Sequence, residues 1–321
     1  MTYKWVLVGP VSEVDSQTLA FKGRPVEYTD PNTNRKHDDG GMVGQGFTDA
    51  RYDGGRVSAT IRFESLASKM AAGITLASNP MTGAHLTVSL GNGPFVAVRA
   101  WNPGGGQGAI GLQAPRWIDY AAFGESSNIE IGRSYKLSTK IKGSWITVWV
   151  DDVKLIQVDL RETLARLRAG IWFLGSGDIG VSEFKIVSNQ PAAFVVMEFS
   201  QSFNDLYDHV IKPVCAHLEV KPIRADERQG PGMIVADIER QITESNLIIA
   251  EITPVNANVF YEVGYAHALK KPTILLAQRG TKLPFDVSGF RTIFYDNTIE
   301  GKGQVEEGLK KHLTEVLSPE E

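Results

Sequence analysis

The feature that most constrains this fold is a change of hydrophobic periodicity near residue 190. Before it, short runs alternate apolar and polar residues, and Gly, Asn, Asp and Pro separate the runs. After it, short apolar runs alternate with longer stretches of helical spacing. The first pattern is typical of antiparallel strands, and the second of a parallel sheet covered by helices. The sequence therefore predicts two domains, an all-β sandwich over 1–189 and an α/β domain over 190–321.

The strand pattern of the first domain is clearest in four segments. Residues 57–64, 135–141 and 181–186 alternate apolar with polar side chains, and residues 145–150 form a strongly apolar run. Only one stretch, 161–168, has helical spacing, and it is short. Many short strands with glycine-rich turns predict an antiparallel sandwich or jelly roll.

This half resembles the concanavalin A-like (laminin G-like) jelly roll. The resemblance is carried by the strand GRVSATIRF, the hairpin YKLSTKIKGSWITVWVDDVKLIQV and the closing segment RAGIWFLGSGDIGVSEFKIV, and it covers roughly residues 40–188. Domains of this fold bind sugars or peptides, hydrolyse glycans or act as scaffolds, so the fold alone does not give the function. The resemblance implies a recognition or assembly module whose trigger ligand is unknown.

Aromatic residues of the first domain offer one candidate ligand surface. All six Trp of the chain lie before residue 173. Trp101, Trp117 and His85 could form a platform on which sugar rings stack. The alternative is that they belong to the core, which is the more common place for Trp in a sandwich.

The second domain is predicted to contain four strands and four helices. The strands are expected at 193–197, 221–225, 247–252 and 273–277, and the helices at 204–219, 233–244, 259–269 and 303–316. Strands that alternate with helices in this way predict a parallel sheet wrapped on both faces.

Two loops of the second domain are placed to bind a ligand. In parallel sheets ligands bind beyond the carboxyl ends of the strands, where loops 198–203 and 253–258 are expected. Each loop leads into a helix N-terminus, whose free N–H groups favour anionic or hydroxyl-rich ligands. Neither loop contains GxGxxG or GxxxxGK(S/T), which argues against a dinucleotide-fold dehydrogenase and a P-loop NTPase.

Glu262 is the strongest candidate for chemistry on physical grounds. It lies in the first turn of the third predicted helix and borders an apolar stripe formed by Val259, Ala266 and Leu269. A carboxylate in that position is partly desolvated, and it could act as a nucleophile on a sugar carbon or stabilise an oxocarbenium-like transition state. The alternative is an acidic residue that only complements the helix dipole.

The segment SNLIIAEITPVNANVFYEVGYAHALKKPTILL resembles the signature of the nucleoside 2-deoxyribosyltransferase-like superfamily, which includes TIR-like N-glycosidases. AFVVMEFSQSFNDLYDHVIKPVC and DIERQITESN precede it in the order of that family, so the resemblance covers about 190–315. It implies a set of catalytic and substrate-binding residues. The catalytic residues are Glu262 and Asp237, and the substrate-binding residues are Phe199, Ser200, Phe203, Asn256, Asn258 and Tyr261.

One position departs from the family pattern. Transferases of the family often carry Asp six residues before the catalytic Glu, where this chain has Asn256. An amide can hydrogen-bond a base or a ribose but cannot supply the proton chemistry of a carboxylate. The departure therefore argues against base transfer more than against hydrolysis.

The resemblance implies an N-glycosidase that cleaves the ribose–base bond of a nucleotide. NAD+ is the first expected substrate, no cofactor or metal is required, and the implied role is that of a bacterial antiphage effector that acts as a homo-oligomer. Three alternatives stay open. They are a nucleoside 2-deoxyribosyltransferase or nucleotide-salvage N-glycosidase, a non-enzymatic nucleotide sensor, and a glycan-binding protein whose first domain is the active part.

Composition limits the partners and the location. The first 190 residues carry 20 Lys and Arg against 18 Asp and Glu, and the remainder 13 against 19, so neither half has the basic excess of a duplex-binding domain. No apolar run is long enough to span a membrane. The single cysteine, Cys215, excludes an internal disulfide. A cytoplasmic protein without membrane or duplex nucleic-acid partners is expected.

Overall fold

The computed structural model describes residues 2–29, 36–52, 54–65, 69–78, 84–102, 116–160, 168–227 and 234–317. The chain divides into two compact units. Most of the residues up to Asn189 form the N-terminal unit, and the C-terminal unit takes in the chain from Gln190 onward.

Two seven-stranded antiparallel sheets form a jelly-roll sandwich in the N-terminal unit. Sheet 1 has the strand order β1-β6-β15-β8-β9-β10-β11, sheet 2 has the order β14-β13-β12-β7-β16-β3-β2, and β4 pairs with β5 separately. The strands are β1 Trp5–Val8, β2 Val11–Asp15, β3 Thr18–Lys22, β4 Val26–Thr29, β5 Lys36–Gly40, β6 Met42–Arg51, β7 Gly55–Phe63, β8 Ala71–Ser78, β9 His85–Gly91, β10 Val96–Asn102, β11 Arg116–Phe123, β12 Ser134–Lys142, β13 Trp145–Val150, β14 Val153–Asp159, β15 Arg168–Gly175 and β16 Asp178–Ser188.

Alternation of side chains fills the sandwich core, as the periodicity predicts. In β7 the side chains of Val57, Ala59 and Ile61 are buried in the core, while the residues between them face outward. The four predicted runs fall within β7, β12, β13 and β16. The predicted helical stretch at 161–168 lies outside the described residues except for its last position, which begins β15.

The C-terminal unit is a five-stranded parallel sheet with the strand order β18-β17-β19-β20-β21 and helices around it. Its strands are β17 Ala192–Val196, β18 Lys221–Arg224, β19 Leu247–Glu251, β20 Thr273–Gln278 and β21 Thr292–Tyr295. Its helices are α1 Gln201–Leu206, α2 Lys212–His217, α3 Ile234–Glu244, α4 Ala257–Ala268, α5 Phe285–Ser288 and α6 Ile299–Leu317.

The C-terminal unit differs from the prediction in three places. The first predicted helix is split, because a π-helical turn at Tyr207–Ile211 joins α1 to α2. Strand β21 and the one-turn helix α5 are additional elements, both only four residues long. Two apolar clusters cover the faces of the sheet, one under α1, α2 and α6 and the other under α3 and α4.

The helices of the described part of the chain differ in length and in apolar content. None of them is both long and apolar enough to cross a bilayer.

Candidate functional site

One face of sheet 1 points away from the sandwich core and carries a cluster of aromatic side chains. On β15, Ile171 and Phe173 are buried in the core, so Trp172 between them projects from the opposite face. Trp172 is nevertheless only 2% exposed. Other side chains of this face therefore cover its indole.

The same indole shows that sheet 1 curves strongly. The ring centroids of Trp172 on β15 and Trp117 on β11 are 5.2 Å apart. Four strand spacings separate these strands, which is about 19 Å in a flat sheet. Since the two side chains cannot bridge that separation, the sheet must wrap around this side. We call it the concave face, defined by Trp172, Trp117, Trp101, His85 and Arg99 with their neighbours on the same side.

The structure brings together the three residues that the sequence offered as a sugar-stacking platform. The ring of Trp117 lies 5.3 Å from that of Trp101 and 5.4 Å from that of His85. None of the three belongs to the sandwich core. Trp101 and Trp117 stay partly exposed, so their rings form the accessible end of the aromatic cluster.

A buried arginine lies beside the indoles. Arg99 is 4% exposed, its guanidinium lies 5.7 Å from the ring of Trp117, and its Nε is 3.1 Å from Asp119 Oδ1. Burial lowers the pKa of Arg99 and the negative charge of Asp119 opposes that effect. The Asp119 side chain is 56% exposed, so one of its sides faces solvent at the end of the aromatic cluster.

Two hydroxyl groups on the floor of the concave face are buried without a partner. Thr75 on β8 and Ser89 on β9 are 0% exposed. Neither Thr75 Oγ1 nor Ser89 Oγ has a hydrogen-bond partner among the described residues. A buried polar group in that state costs about 1–3 kcal/mol of folding free energy.

Carboxylates on the concave face are already engaged. Among the described strand residues of this face they are Asp49 and Asp119; Asp49 accepts a hydrogen bond from the Lys4 backbone N–H at 3.1 Å, and Asp119 is paired with Arg99. Hydrolysis of a glycosidic bond ordinarily uses two carboxyl groups with distinct acid and base or nucleophile roles.

A second concavity lies at the carboxyl ends of the parallel strands in the C-terminal unit. It has a volume of about 680 Å³. Five of the eight residues expected at a ligand site line it, namely Phe199, Asn256, Asn258, Tyr261 and Glu262. The N-terminal part of α4 and the loop after β17 supply them, as the two-loop prediction expects.

Glu262 is the ionisable group of this cavity with the most perturbed environment. Burial raises its pKa to about 7. No described residue donates a hydrogen bond to it or forms an ion pair with it. Its neighbours are engaged with each other: Asn256 Oδ1 accepts from the Asn258 N–H at 3.0 Å and so caps α4, and Tyr261 donates to Glu239 Oε1 at 2.7 Å.

The remaining three expected residues lie outside the cavity lining. Asp237 is on α3, where its carboxylate is 2.6 Å from Arg240 Nη2. Phe203 is 7% exposed and packs in the apolar cluster under α1, α2 and α6. Ser200 is the residue before α1, without a side-chain capping bond.

Arg224, which the sequence analysis did not single out, holds one wall of the cavity. It is 7% exposed, donates two hydrogen bonds to Asp226 at 2.6 and 2.7 Å, and lies 5.4 Å from the ring of Phe199. Asp226 and Phe199 both line the cavity. The sequence signal for Arg224 was its position within the predicted strand 221–225. An arginine that a strand buries almost always has a charged or polar partner, so such a partner could have been expected nearby.

Comparison with known proteins returns structures but no sequence family. No family model and no curated protein matches the chain. Carbohydrate binding module CBM66 from Bacillus subtilis is 11% identical, with 57% of this chain and 94% of that chain covered at a TM-score of 0.35. Porphyranase B from Zobellia galactanivorans is 9% identical, with 58% and 87% covered at a TM-score of 0.37. The Bacteroides ovatus mixed linkage glucan PUL GH16 is 10% identical, with 56% and 91% covered at a TM-score of 0.35.

These comparisons correct the functional prediction. They cover the N-terminal part of the chain and are named as a carbohydrate-binding module and glycoside hydrolases, and the expected N-glycosidase acting on NAD+ is wrong. NAD+ is therefore no longer the expected substrate, and the expected role as a NAD+-depleting antiphage effector is withdrawn as well. The resemblance of the C-terminal unit to the deoxyribosyltransferase-like superfamily has no counterpart in the comparisons and stays a prediction.

Proposed function

We propose that the N-terminal unit binds carbohydrate on the concave face of sheet 1. The observation that carries the proposal is the combination, on one curved face, of partly exposed indoles with a buried arginine and a half-exposed carboxylate. Sugars have apolar C–H faces and polar edges, so they need both kinds of group in one place. A flat aromatic cluster of the core would not contain the polar groups.

Each group has a defined task in this proposal. Trp101 or Trp117, whose ring planes are inclined by 54°, stacks against the apolar face of a sugar ring, and Asp119 accepts hydrogen bonds from its hydroxyl groups. Arg99 holds Asp119 in place and remains buried. The ligand is a neutral oligosaccharide, because the charges of Arg99 and Asp119 already balance each other.

A glycan array with the full chain tests the proposal, followed by affinity electrophoresis on the glycan that binds best. Trp101→Ala is expected to weaken binding about tenfold, since a stacked ring contributes on the order of 1 kcal/mol beyond its buried area. Trp145→Ala is the matched control, because Trp145 is also partly buried but belongs to sheet 2. Equal losses in both variants, or no bound glycan, would contradict the proposal.

We further propose that the 680 Å³ cavity of the C-terminal unit is a small-ligand site. The supporting observation is Glu262, whose carboxyl group lines the cavity and has no hydrogen-bond or ion-pair partner among the described residues. A ligand hydroxyl or amide would supply that missing hydrogen bond, and the expected residues Phe199, Asn256, Asn258 and Tyr261 would surround it.

Thermal-shift measurements with free sugars and sugar acids test the cavity. Glu262→Gln keeps the size of the side chain and should alter which ligands stabilise the C-terminal unit. Glu300→Gln, on α6 outside the cavity lining, is the control and should leave the ligand profile unchanged. A ligand profile that is the same in all three proteins would remove Glu262 from the site.

A further inference from the structure

Four cationic side chains cross the outer face of sheet 2. They are Lys154 on β14, Lys140 on β12, Arg56 on β7 and Lys185 on β16. Their immediate neighbours along the strands point into the core, as Val57 beside Arg56 does. We call this set the cationic stripe, and it lies on the sheet opposite the concave face.

Strand register places three of these charges, on β12, β7 and β16, next to one another. Lys140 is directly opposite Arg56, and Lys185 is opposite Ser58, two positions along β7 from Arg56. Such positions are about 5 Å apart when opposite and about 8 Å apart on the diagonal. Like charges directly opposite each other destabilise a sheet, so this arrangement has a cost that the fold alone does not explain.

The cations of the stripe differ from other cations of sheet 2 in their partners among the described residues. Elsewhere on sheet 2, Lys136 pairs with Asp152 at 3.1 Å and Arg62 with Glu64 at 3.2 Å. None of the four cations of the stripe forms an ion pair with a described carboxylate. Lys154 donates a hydrogen bond to Gln157, which carries no charge.

Trp149 fixes the guanidinium at the centre of the stripe. Arg56 Cζ lies 4.4 Å from the centroid of the Trp149 ring, and Arg56 Nη1 donates to Ser138 Oγ at 2.9 Å. These two contacts hold the guanidinium in one plane and leave its other N–H groups to donate. A planar arginine with free donors binds carboxylate or sulfate groups with two parallel hydrogen bonds.

The length of the stripe indicates a linear ligand. From β14 to β16 there are four strand spacings, or about 19 Å along the sheet. A single small anion could contact only part of that length. The first 190 residues have nearly balanced charge, 20 cationic against 18 anionic, so the field that draws a DNA duplex to a protein is weak here.

We propose that the cationic stripe binds an anionic polysaccharide that carries carboxylate or sulfate groups. Arg56 and Lys140 contact one charged group between them, and Lys154 and Lys185 contact groups on either side. This site is separate from the neutral-sugar site of the concave face, and each can fail without the other.

The test measures binding of the full chain to polygalacturonate, dextran sulfate, neutral dextran and a short DNA duplex at two salt concentrations. The double variant Lys140→Gln/Lys185→Gln removes two unpaired charges. Its expected effect is about tenfold weaker binding to the anionic polysaccharide, because exposed charge contacts are individually weak. Binding to polygalacturonate identifies carboxylate as the recognised group, and binding to dextran sulfate identifies sulfate.

A matched control separates the stripe from net charge. Lys22→Gln/Lys136→Gln removes the same amount of charge from two lysines that are paired with Asp178 and Asp152. This control is expected to bind the polysaccharide like the wild type. Equal losses in both double variants, stronger binding to the duplex, or no binding to either anionic polysaccharide would overturn the proposal. Trp101→Ala should leave binding of the anionic polysaccharide unchanged, which distinguishes the cationic stripe from the concave-face site.

Discussion

Glu251 predicts a specific pH dependence of the stability of the C-terminal unit. It ends β19, is 0% exposed, and accepts hydrogen bonds from the Thr253 N–H at 3.2 Å and from the Tyr295 hydroxyl at 3.1 Å. Its burial raises the pKa to about 7, and the charge of Glu198 adds to that rise. The substitution Glu251→Gln keeps the shape of the side chain and removes its titration.

The size and sign of the effect follow from the two pKa values. A carboxyl group with an ordinary pKa of 4.5 in the unfolded chain and about 7 in the folded one stays protonated longer in the folded state. Below pH 4.5 both states are protonated and no cost arises. The loss develops between pH 4.5 and 7, where the unfolded chain is ionised and the folded state still holds its proton. Above pH 7 the loss levels off at about 3 kcal/mol, from 2.5 pH units at about 1.36 kcal/mol each.

The chain contains separate probes for its two units. All six Trp lie before residue 173, so tryptophan fluorescence follows the N-terminal unit alone. Among the described residues, all α-helices lie in the C-terminal unit, so far-UV circular dichroism at the helix band follows that unit. Urea unfolding monitored by circular dichroism at pH 5 and pH 8 therefore measures the relevant free energy.

Between pH 5 and pH 8 the wild type should lose about 2–3 kcal/mol more unfolding free energy than Glu251→Gln, because part of the effect already lies below pH 5. The pKa of Glu262 is also raised to about 7, so its ionisation lowers the unfolding free energy of wild type and Glu251→Gln alike. The control Glu262→Gln removes this shared pH dependence. The fluorescence transition should be the same in all variants. Identical pH dependence of the circular dichroism transition in wild type and Glu251→Gln would refute the reasoning.

Three further substitutions test contacts of the two candidate sites. Asp119→Asn leaves the buried charge of Arg99 unpaired and should lower stability in the fluorescence transition by about 1–2 kcal/mol; no change would mean that the pair is dispensable. Asn256→Ala removes the hydrogen bond to the Asn258 N–H that caps α4 and should cost about 1 kcal/mol by circular dichroism; a neutral result would contradict the capping role. Arg224→Lys loses the two-bond contact to its carboxylate partner and should cost about 2 kcal/mol by the same measurement; a wild-type midpoint would show that a point charge suffices.

Much of the fold could be predicted because local periodicity and tertiary burial agree. The runs at 57–64 and 145–150 alternate or are apolar in sequence, and the corresponding strands β7 and β13 bury one face in the structure. The third predicted helix, 259–269, corresponds to α4 at Ala257–Ala268. Strand β21 was missed because its four residues sit at the edge of the sheet, where only Tyr295 is buried.

The concave face could be predicted only in part. The residue types of Trp101, Trp117 and His85 indicated a stacking platform, because such platforms consist of aromatic side chains. Their association with Trp172 was not predictable, since it depends on the curvature of a sheet whose strands lie far apart along the chain. Local sequence does not encode that curvature.

In the ligand cavity of the C-terminal unit, the position of the residues was easier to predict than their chemistry. Five of the eight residues that the resemblance implies line one cavity, and their role as a ligand site stays a prediction. Asp237 was expected there because of its place in the order of motifs, but α3 directs it to Arg240. The N-glycosidase reaction on NAD+ that the resemblance implied is wrong. A resemblance of fold or motif does not by itself determine the reaction. Homo-oligomer formation stays a prediction.

The most direct test of the central claim is a crystal structure of the full chain with the neutral oligosaccharide that binds best on the array. The expected complex has a sugar ring stacked on Trp101 or Trp117 and a sugar hydroxyl group hydrogen-bonded to Asp119. An oligosaccharide bound only on sheet 2 or only in the cavity of the C-terminal unit would contradict it.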